Sequence, residues 1–201
     1  PELAQDAHDR GESHAARAHV LGSMGEPEEA LDELDKALAL QPTEPWHYVG
    51  RAYTLSDLQD YEGARDDFSK ALELKADMAI GYAGRAYARS QLGEIREAWN
   101  DVEKALSLQA DLVPALHTRA DLHFQEEQYE DALADYNKAI SLDPSNEYLF
   151  TGRAGVYAAL GRQDEALADD TEAIRLAPDR PFFYSARASL APHLDKDAEE
   201  L

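Results

Sequence analysis

The chain contains no cysteine. That excludes disulfides, thiolate zinc sites and thiol nucleophiles, and leaves the redox character of its compartment undetermined. Basic residues are scarce: 19 Lys and Arg stand against 41 Asp and Glu, for a net charge of −22. A chain so acidic repels phosphate backbones, so neither nucleic acid nor an anionic membrane surface is an expected partner. No apolar run approaches the ~18 residues of a membrane-spanning helix. No secretory leader is visible behind Pro1, which leaves the address open, with the cytoplasm favoured.

Motifs that carry chemistry are missing too. There is no GxxxxGK phosphate loop and no HExxH. "LGSMG" has Leu21 where a nucleophile elbow needs glycine. "DAHDRG" from Asp6 and "DPSNE" from Asp143 lack the alternation of a calcium loop. His14 and His19 are five apart, and His117 and His123 are six apart, separations that diverge on a helix. No metal, no cofactor and no catalysis are therefore expected.

What the chain does have is a clock. Arg-Ala stands at Arg17, Arg51, Arg85, Arg119, Arg153 and Arg187, always 34 residues apart. Lys-Ala followed by Leu or Ile begins at Lys36, Lys70, Lys104 and Lys138, again in steps of 34. A fixed period of this size is the signature of a stacked array. The units run over residues 11–44, 45–78, 79–112, 113–146 and 147–180, with a partial sixth and a cap over 181–201. Residues 1–10 are a leader or the stub of a preceding helix.

Within a unit the apolar spacing is helical. Leu116, Ala120 and His123 share one face of a first helix; Ala132, Tyr136 and Ala139 line a second. Gly93 and Gly161 mark the turns between them, and Pro42, Pro144 and Pro178 stop the second helices. Two units lack that stop, having Ala76 and Ala110 instead, so their second helices are expected to run on. Two lack the turn glycine, having Gln59 and Glu127. Nothing reads as a strand.

Three places of the unit, the eighth, twentieth and twenty-seventh, hold alanine at all 16 occurrences. Helix propensity does not choose places. Close approach of two helix backbones does, because only a methyl fits between them. Larger residues surround these contacts, except that Asp170 stands where the other units have Leu34, Phe68, Val102 and Tyr136. It predicts looser packing there.

The 34-residue unit, the small-residue triplet, the aromatic at the fourth place and the terminal proline resemble the tetratricopeptide repeat family, over Gly11 to Leu190. The resemblance implies an all-α, right-handed α-solenoid of antiparallel helix pairs, with five full repeats and a partial sixth. It also implies that first helices line a concave groove that binds an extended peptide or a helix of another protein.

Two sets of residues follow. Arg at the seventh place needs an anionic partner beside a core, and the twenty-third place always supplies one. The expected ladder pairs Arg17 with Glu33, Arg51 with Asp67, Arg85 with Asp101, Arg119 with Asp135 and Arg153 with Asp169. The sequence leaves open whether each partner lies in the same unit or the next. On the family geometry the groove carries Trp46, Val49, Tyr53, Ile80, Tyr87, Gln91, His117, Asp121, Phe124, Gln125 and Tyr148. Aromatics there are natural anchors, the alternative for Trp46, Ile80 and Tyr148, all at the second place, being that they pack against the preceding helix. The Lys and Arg with which co-chaperone relatives grip a terminal carboxylate are absent, Ala15, His19 and Gly50 standing at such places. A neutral or basic peptide or helix fits this surface better than an acidic tail. The expected function is a non-enzymatic scaffold. The alternatives are self-assembly through open array ends, as monomer or homo-oligomer, and a binding module of a larger protein.

Overall fold

The computed structural model describes residues 2–190, which form eleven helices and no strand. The expected cap over 191–201 lies outside the described residues. The chain divides into two compact units, one ending at Ala110 and one starting at Asp111.

The first unit holds three helix hairpins: α1 (Glu2–Met24) with α2 (Pro27–Leu40), α3 (Pro45–Asp57) with α4 (Tyr61–Leu74), and α5 (Ala79–Gln91) with α6 (Ile95–Leu108). Consecutive hairpins pack on one another, and α1 touches α3 as α3 touches α5. The second unit repeats the plan with α7 (Val113–Gln125) on α8 (Tyr129–Leu142) and α9 (Glu147–Ala159) on α10 (Gln163–Leu176). It closes with α11 (Pro181–Leu190) against α10 and α9.

Residues 2–10 are the first turns of α1. The Gln41 amide holds them, donating to the His8 carbonyl at 3.1 Å. Gly11 permits this approach, since a Cβ there would stand 2.6 Å from Gln41 Oε1.

Fifteen of the sixteen alanines are buried, most with no exposed surface. The exception is Ala188 on α11, which has no later helix packed on it among the described residues. Each turn inside a hairpin has one residue in the left-handed region. It is Gly25, Gly93 or Gly161 in three hairpins, and Gln59 (φ 62°) or Glu127 (φ 60°) in the other two. The turn survives without glycine because the following N–H still reaches back to close the helix, Asp60 N to Leu55 O at 2.8 Å.

The longer second helices expected after Ala76 and Ala110 are not found. α4 ends at Leu74 and α6 at Leu108, in step with α2, α8 and α10. The stop is the same at all five ends, where Gln41, Lys75, Gln109, Asp143 and Ala177 leave the helical region and each N–H bonds the carbonyl of the buried alanine four residues back; what differs is how the following chain is held. Beside Pro42 and Pro144, Glu44 and Asn146 accept the N–H of Trp46 and Tyr148 at 3.2 Å each. Behind Ala76, Met78 is buried in the cluster of Phe68, Ala71 and Leu72. Burying it requires the chain to leave the helix at Lys75, which is extended (φ −146°, ψ 98°).

A second steric rule lies beside the alanines. Phe68 and Tyr136 are fully buried, and each ring lies where a methyl on Gly84 or Gly152, one hairpin later, would collide with it. Gly50 gives Leu34 the same room, at 3.1 Å from an added Cβ. Asp170 occupies the corresponding place. The residue is buried all the same, at 2% exposed. Its Oδ1 has no hydrogen-bond partner. Burial, and then the neighbouring Asp169 charge, push the carboxyl up to about 6 against the opposing pull of Arg187.

Candidate functional site: a groove between first helices

The first helices bring a stripe of α3 opposite a stripe of α1. Trp46, Gly50, Tyr53 and Asp57 recur at helical intervals on one side, facing Glu12, Ala15, His19 and Ser23 on the other. Between them lies a cavity of about 850 Å³, inside the first unit. Ala15, Ala18, Gly22 and Gly50 line it with nothing beyond Cβ, and Leu34, seated against Gly50, adds to the apolar lining. Ala15 and Gly50, two of the places where a carboxylate clamp is absent, are among these small residues.

Trp46 is 53% exposed and Tyr53 38%. Tyr53 packs edge-on against the buried Phe68 with centroids 5.1 Å apart, and its surroundings push the hydroxyl up to about 12 by desolvation. Lys75 Nζ stands 6.0 Å over the Trp46 ring. At the mouth, buried His47 bonds to Gln41 Oε1, which orients the ring. Burial lowers its pKa, so it stays neutral near pH 7.

Two residues expected in the groove are elsewhere. Val49 is buried in the cluster with Ala52, Phe68 and Met78, and Ile80 packs half-buried against the same cluster. Their faces turn toward the second helices because the bulk of Phe68 draws apolar neighbours around it. Tyr87 and Gln91 are exposed on α5, with Tyr87 edge-on to Tyr61 at 6.0 Å.

In the second unit, Phe124 and Gln125 are exposed on α7, with Phe124 tilted against Tyr129. His117 is half-buried, its Nε2 3.6 Å from Asp121. Asp121 points inward rather than to a guest, accepting the buried Tyr136 hydroxyl. That demand is readable from Tyr136, since a buried phenol needs an acceptor. Tyr148 is exposed, edge-on to Phe183, and takes a 2.5 Å bond from Arg180.

The arginines form a regular series. Arg51, Arg85, Arg119 and Arg153 each donate two N–H bonds, 2.6–2.8 Å long, to the carboxylate sixteen residues later, Asp67, Asp101, Asp135 and Asp169. The partner belongs to the same repeat. The remaining nitrogen of three of them reaches back to the preceding hairpin, to Asp35, Ser69 and Asn137. Arg17 departs from this. It stays 63% exposed and comes only within 3.5 Å of Glu33. Glu33 is taken instead by His14 and Lys36, at 2.7 Å each, which hold its carboxyl down at about 2.

Among the described residues no cluster of three metal-ligating side chains occurs, and no helix is long and apolar enough to cross a membrane. A groove of small residues rimmed by aromatics, on paired helices that repeat every 34 residues, defines a helical-repeat binding scaffold. The chain belongs to the tetratricopeptide repeat family: a model described as tetratricopeptide repeat matches residues 15–79, and one described as TPR repeat matches 120–161. No curated protein matches it.

Solved structures share the fold. A thermophilic TPR protein of Thermus thermophilus is 20% identical, with a TM-score of 0.81 over 90% of this chain and 98% of that one. A chain of the APC/C hetero-tetramer Cut9–Hcn1 is 16% identical, with a TM-score of 0.84 over 94% of this chain and 39% of its own length. YrrB, a TPR protein with an unusual peptide-binding site, is 23% identical, with a TM-score of 0.55 over 87% of this chain and 90% of that one.

Proposed function

We propose that this chain is a non-enzymatic scaffold that holds a neutral or basic peptide or helical segment of another protein along its first helices. TPR proteins generally mediate protein–protein interactions. The observation that carries the reading to this chain is the cavity between α1 and α3, with Trp46 and Tyr53 exposed on its walls. Tyr53 is held by Phe68, and both rings are rigid side chains, so a partner buries large apolar area at little entropic cost. Tyr87 on α5, and Phe124 and Tyr148 in the second unit, offer further aromatic contacts on first helices. The arginine series is the frame of the array and not its contact surface, because its guanidinium groups are already bound to carboxylates.

A library of random 12-residue peptides displayed on phage tests this. Binders selected on the wild-type chain lose about tenfold or more in affinity on a Trp46→Ala, Tyr53→Ala variant, the loss of two aromatic anchors. Equal binding to both proteins refutes the groove.

A further inference from the structure

The α1–α3 cavity is a gap that the next repeat fills with its own side chains. The residues around it have counterparts 34 positions on, around the space between α3 and α5. Ala15 corresponds to Val49, His19 to Tyr53, Leu34 to Phe68 and Glu44 to Met78. Val49, Phe68 and Met78 are buried in one cluster with Ala88 of α5, and Tyr53 lies edge-on against Phe68 with ring centroids 5.1 Å apart. α1 touches α3 as α3 touches α5, so the backbones are placed alike and the difference lies in the side chains. In the first repeat Ala15 lacks the branches of Val49, Leu34 brings no ring, and His19 stands exposed where Tyr53 packs. What the lining lacks is one aromatic contact on Leu34 and the apolar bulk beside it.

We infer that this gap takes one aromatic side chain of a partner protein, carried on a neutral or basic segment. The ring lies on Leu34 above Ala15, as the Tyr53 ring lies on Phe68, and meets the exposed part of Tyr53 on the opposite wall. A flat ring suits this slot better than an aliphatic chain, because it enters between two helices and pairs edge to face with the phenol. Ordering it costs little freedom, since only two side-chain torsions are fixed. A cavity of about 850 Å³ holds more than one ring, so the residues flanking the aromatic lie in it too. Charge selects them. Glu12 and Glu44 line the cavity and no Lys or Arg does, and the neutral His47, 3.8 Å from Glu12, does not offset that charge near pH 7. A carboxylate beside the ring is therefore repelled. This inference rests on the groove being a peptide site and adds the chemistry of its guest.

The phage selection separates the two claims. Peptides that need Trp46 and Tyr53, and share an aromatic residue whose change to Ala costs about tenfold or more, support both. Peptides that need the two rings but share no aromatic residue, or carry Asp or Glu next to it, overturn the aromatic guest and leave the groove standing. Peptides indifferent to the rings, or no binders at all, overturn both. A filled variant completes the test. Ala15→Val, His19→Tyr, Leu34→Phe gives the first repeat the residues of the second, and Gly50 leaves the new ring the room that Gly84 leaves Phe68. The selected peptides lose about tenfold in affinity on this variant, read by fluorescence anisotropy, while a circular dichroism melt shows that it is folded. Equal affinity overturns the inference. On the wild-type chain, N-acetyl-phenylalanine amide shifts the methyl NMR signals of Ala15, Ala18 and Leu34 saturably, and N-acetyl-alanine amide does not. An equal response to the two probes, or none to either, overturns the inference without any variant. Light scattering reads the other occupant: a wild-type dimer that the filled variant returns to monomer puts a second copy in the groove and overturns the inference as well.

Discussion

Replacing Asp170 should stabilise the protein, and do so increasingly as the pH rises from about 4 to about 6. The side chain is buried on α10 at a place that holds Leu34, Phe68, Val102 and Tyr136 in the other repeats. Its pKa rises from 3.8 to about 6, chiefly through desolvation. An acid raised on folding binds its proton more tightly when folded. Below pH ~4 both states are protonated and the charge costs nothing. Between ~4 and ~6 the unfolded chain ionises first, so stability falls as pH rises. Above ~6 the full cost stands, about 3 kcal/mol from two units of pKa at 1.36 kcal/mol each. Asp170→Val removes both the charge and the unpaired Oδ1 and puts a comparable apolar volume in their place. The variant should gain about 2–3 kcal/mol at pH 7.5, and only about 1 kcal/mol at pH 4.5. At 2–4 °C per kcal/mol, the melting temperature should rise by about 5–10 °C at pH 7.5. Paired melts of wild type and variant by circular dichroism at the two pH values read this. Hydrogen exchange at α10 and α11 should show the protection gained locally. A variant no more stable than wild type at pH 7.5, or an advantage that does not change with pH, would refute the reasoning.

Other outcomes follow from the packing. Gly84→Ala drives a methyl into the Phe68 ring and should cost about 1–3 kcal/mol in a urea melt; adding Phe68→Leu should recover part of the loss, which simple additivity does not give. Asp101→Ala leaves Arg85 and Arg89, both bonded to that carboxylate, without it, and should cost about 2–4 kcal/mol, whereas Asp66→Ala on the exposed face of α4 should change stability by less than about 1 kcal/mol. Gln59→Gly and Glu127→Gly relieve a left-handed backbone that L-residues dislike and should each raise stability by about 0.5–1 kcal/mol, measured by thermal melting.

The parts of the fold that are steric and periodic are legible in the sequence. A methyl-sized gap between helices must recur wherever the hairpin recurs, so its alanines appear in register and announce the hairpin. Place-to-place differences are harder to read. Val49 and Ala15 share a place in the repeat, yet one is core and the other is the floor of the groove, because Phe68 stands behind Val49. The glycines opposite the large second-helix residues carry a signal of their own: Gly50, Gly84 and Gly152 each follow Leu34, Phe68 and Tyr136 by sixteen residues. That signal pairs two places in different repeats, so a search one place at a time passes over it. The helix stops behind Ala76 and Ala110 are hidden from a reading that takes proline as the stop itself. Burial of Met78 ends α4 without one, as a tertiary contact overrides a local preference.

The arginines answer a weakness of the alanines. Small side chains let two helices come close, but a smooth seam of methyls does little to fix how far one helix slides along the other. A fork of two N–H bonds from Arg85 to Asp101 does fix it, because the planar guanidinium meets the carboxylate in one geometry. The third nitrogen then bonds Ser69 of the preceding hairpin, as Arg51 bonds Asp35 and Arg153 bonds Asn137. One side chain therefore sets the register inside a hairpin and ties it to its predecessor. The same register places Trp46 and Tyr53 of α3 opposite Glu12 and His19 of α1. A slip of one turn between the hairpins, about 5.4 Å, would offset those walls by roughly a third of the length of the groove. The ion pairs need not add net stability to matter, since replacing a buried pair by apolar residues is often neutral. Arg51 ties α3 to α2 in this way through Asp35, whereas α1 is held on α2 by the bond of His14 to Glu33, and none of these four side chains lines the groove.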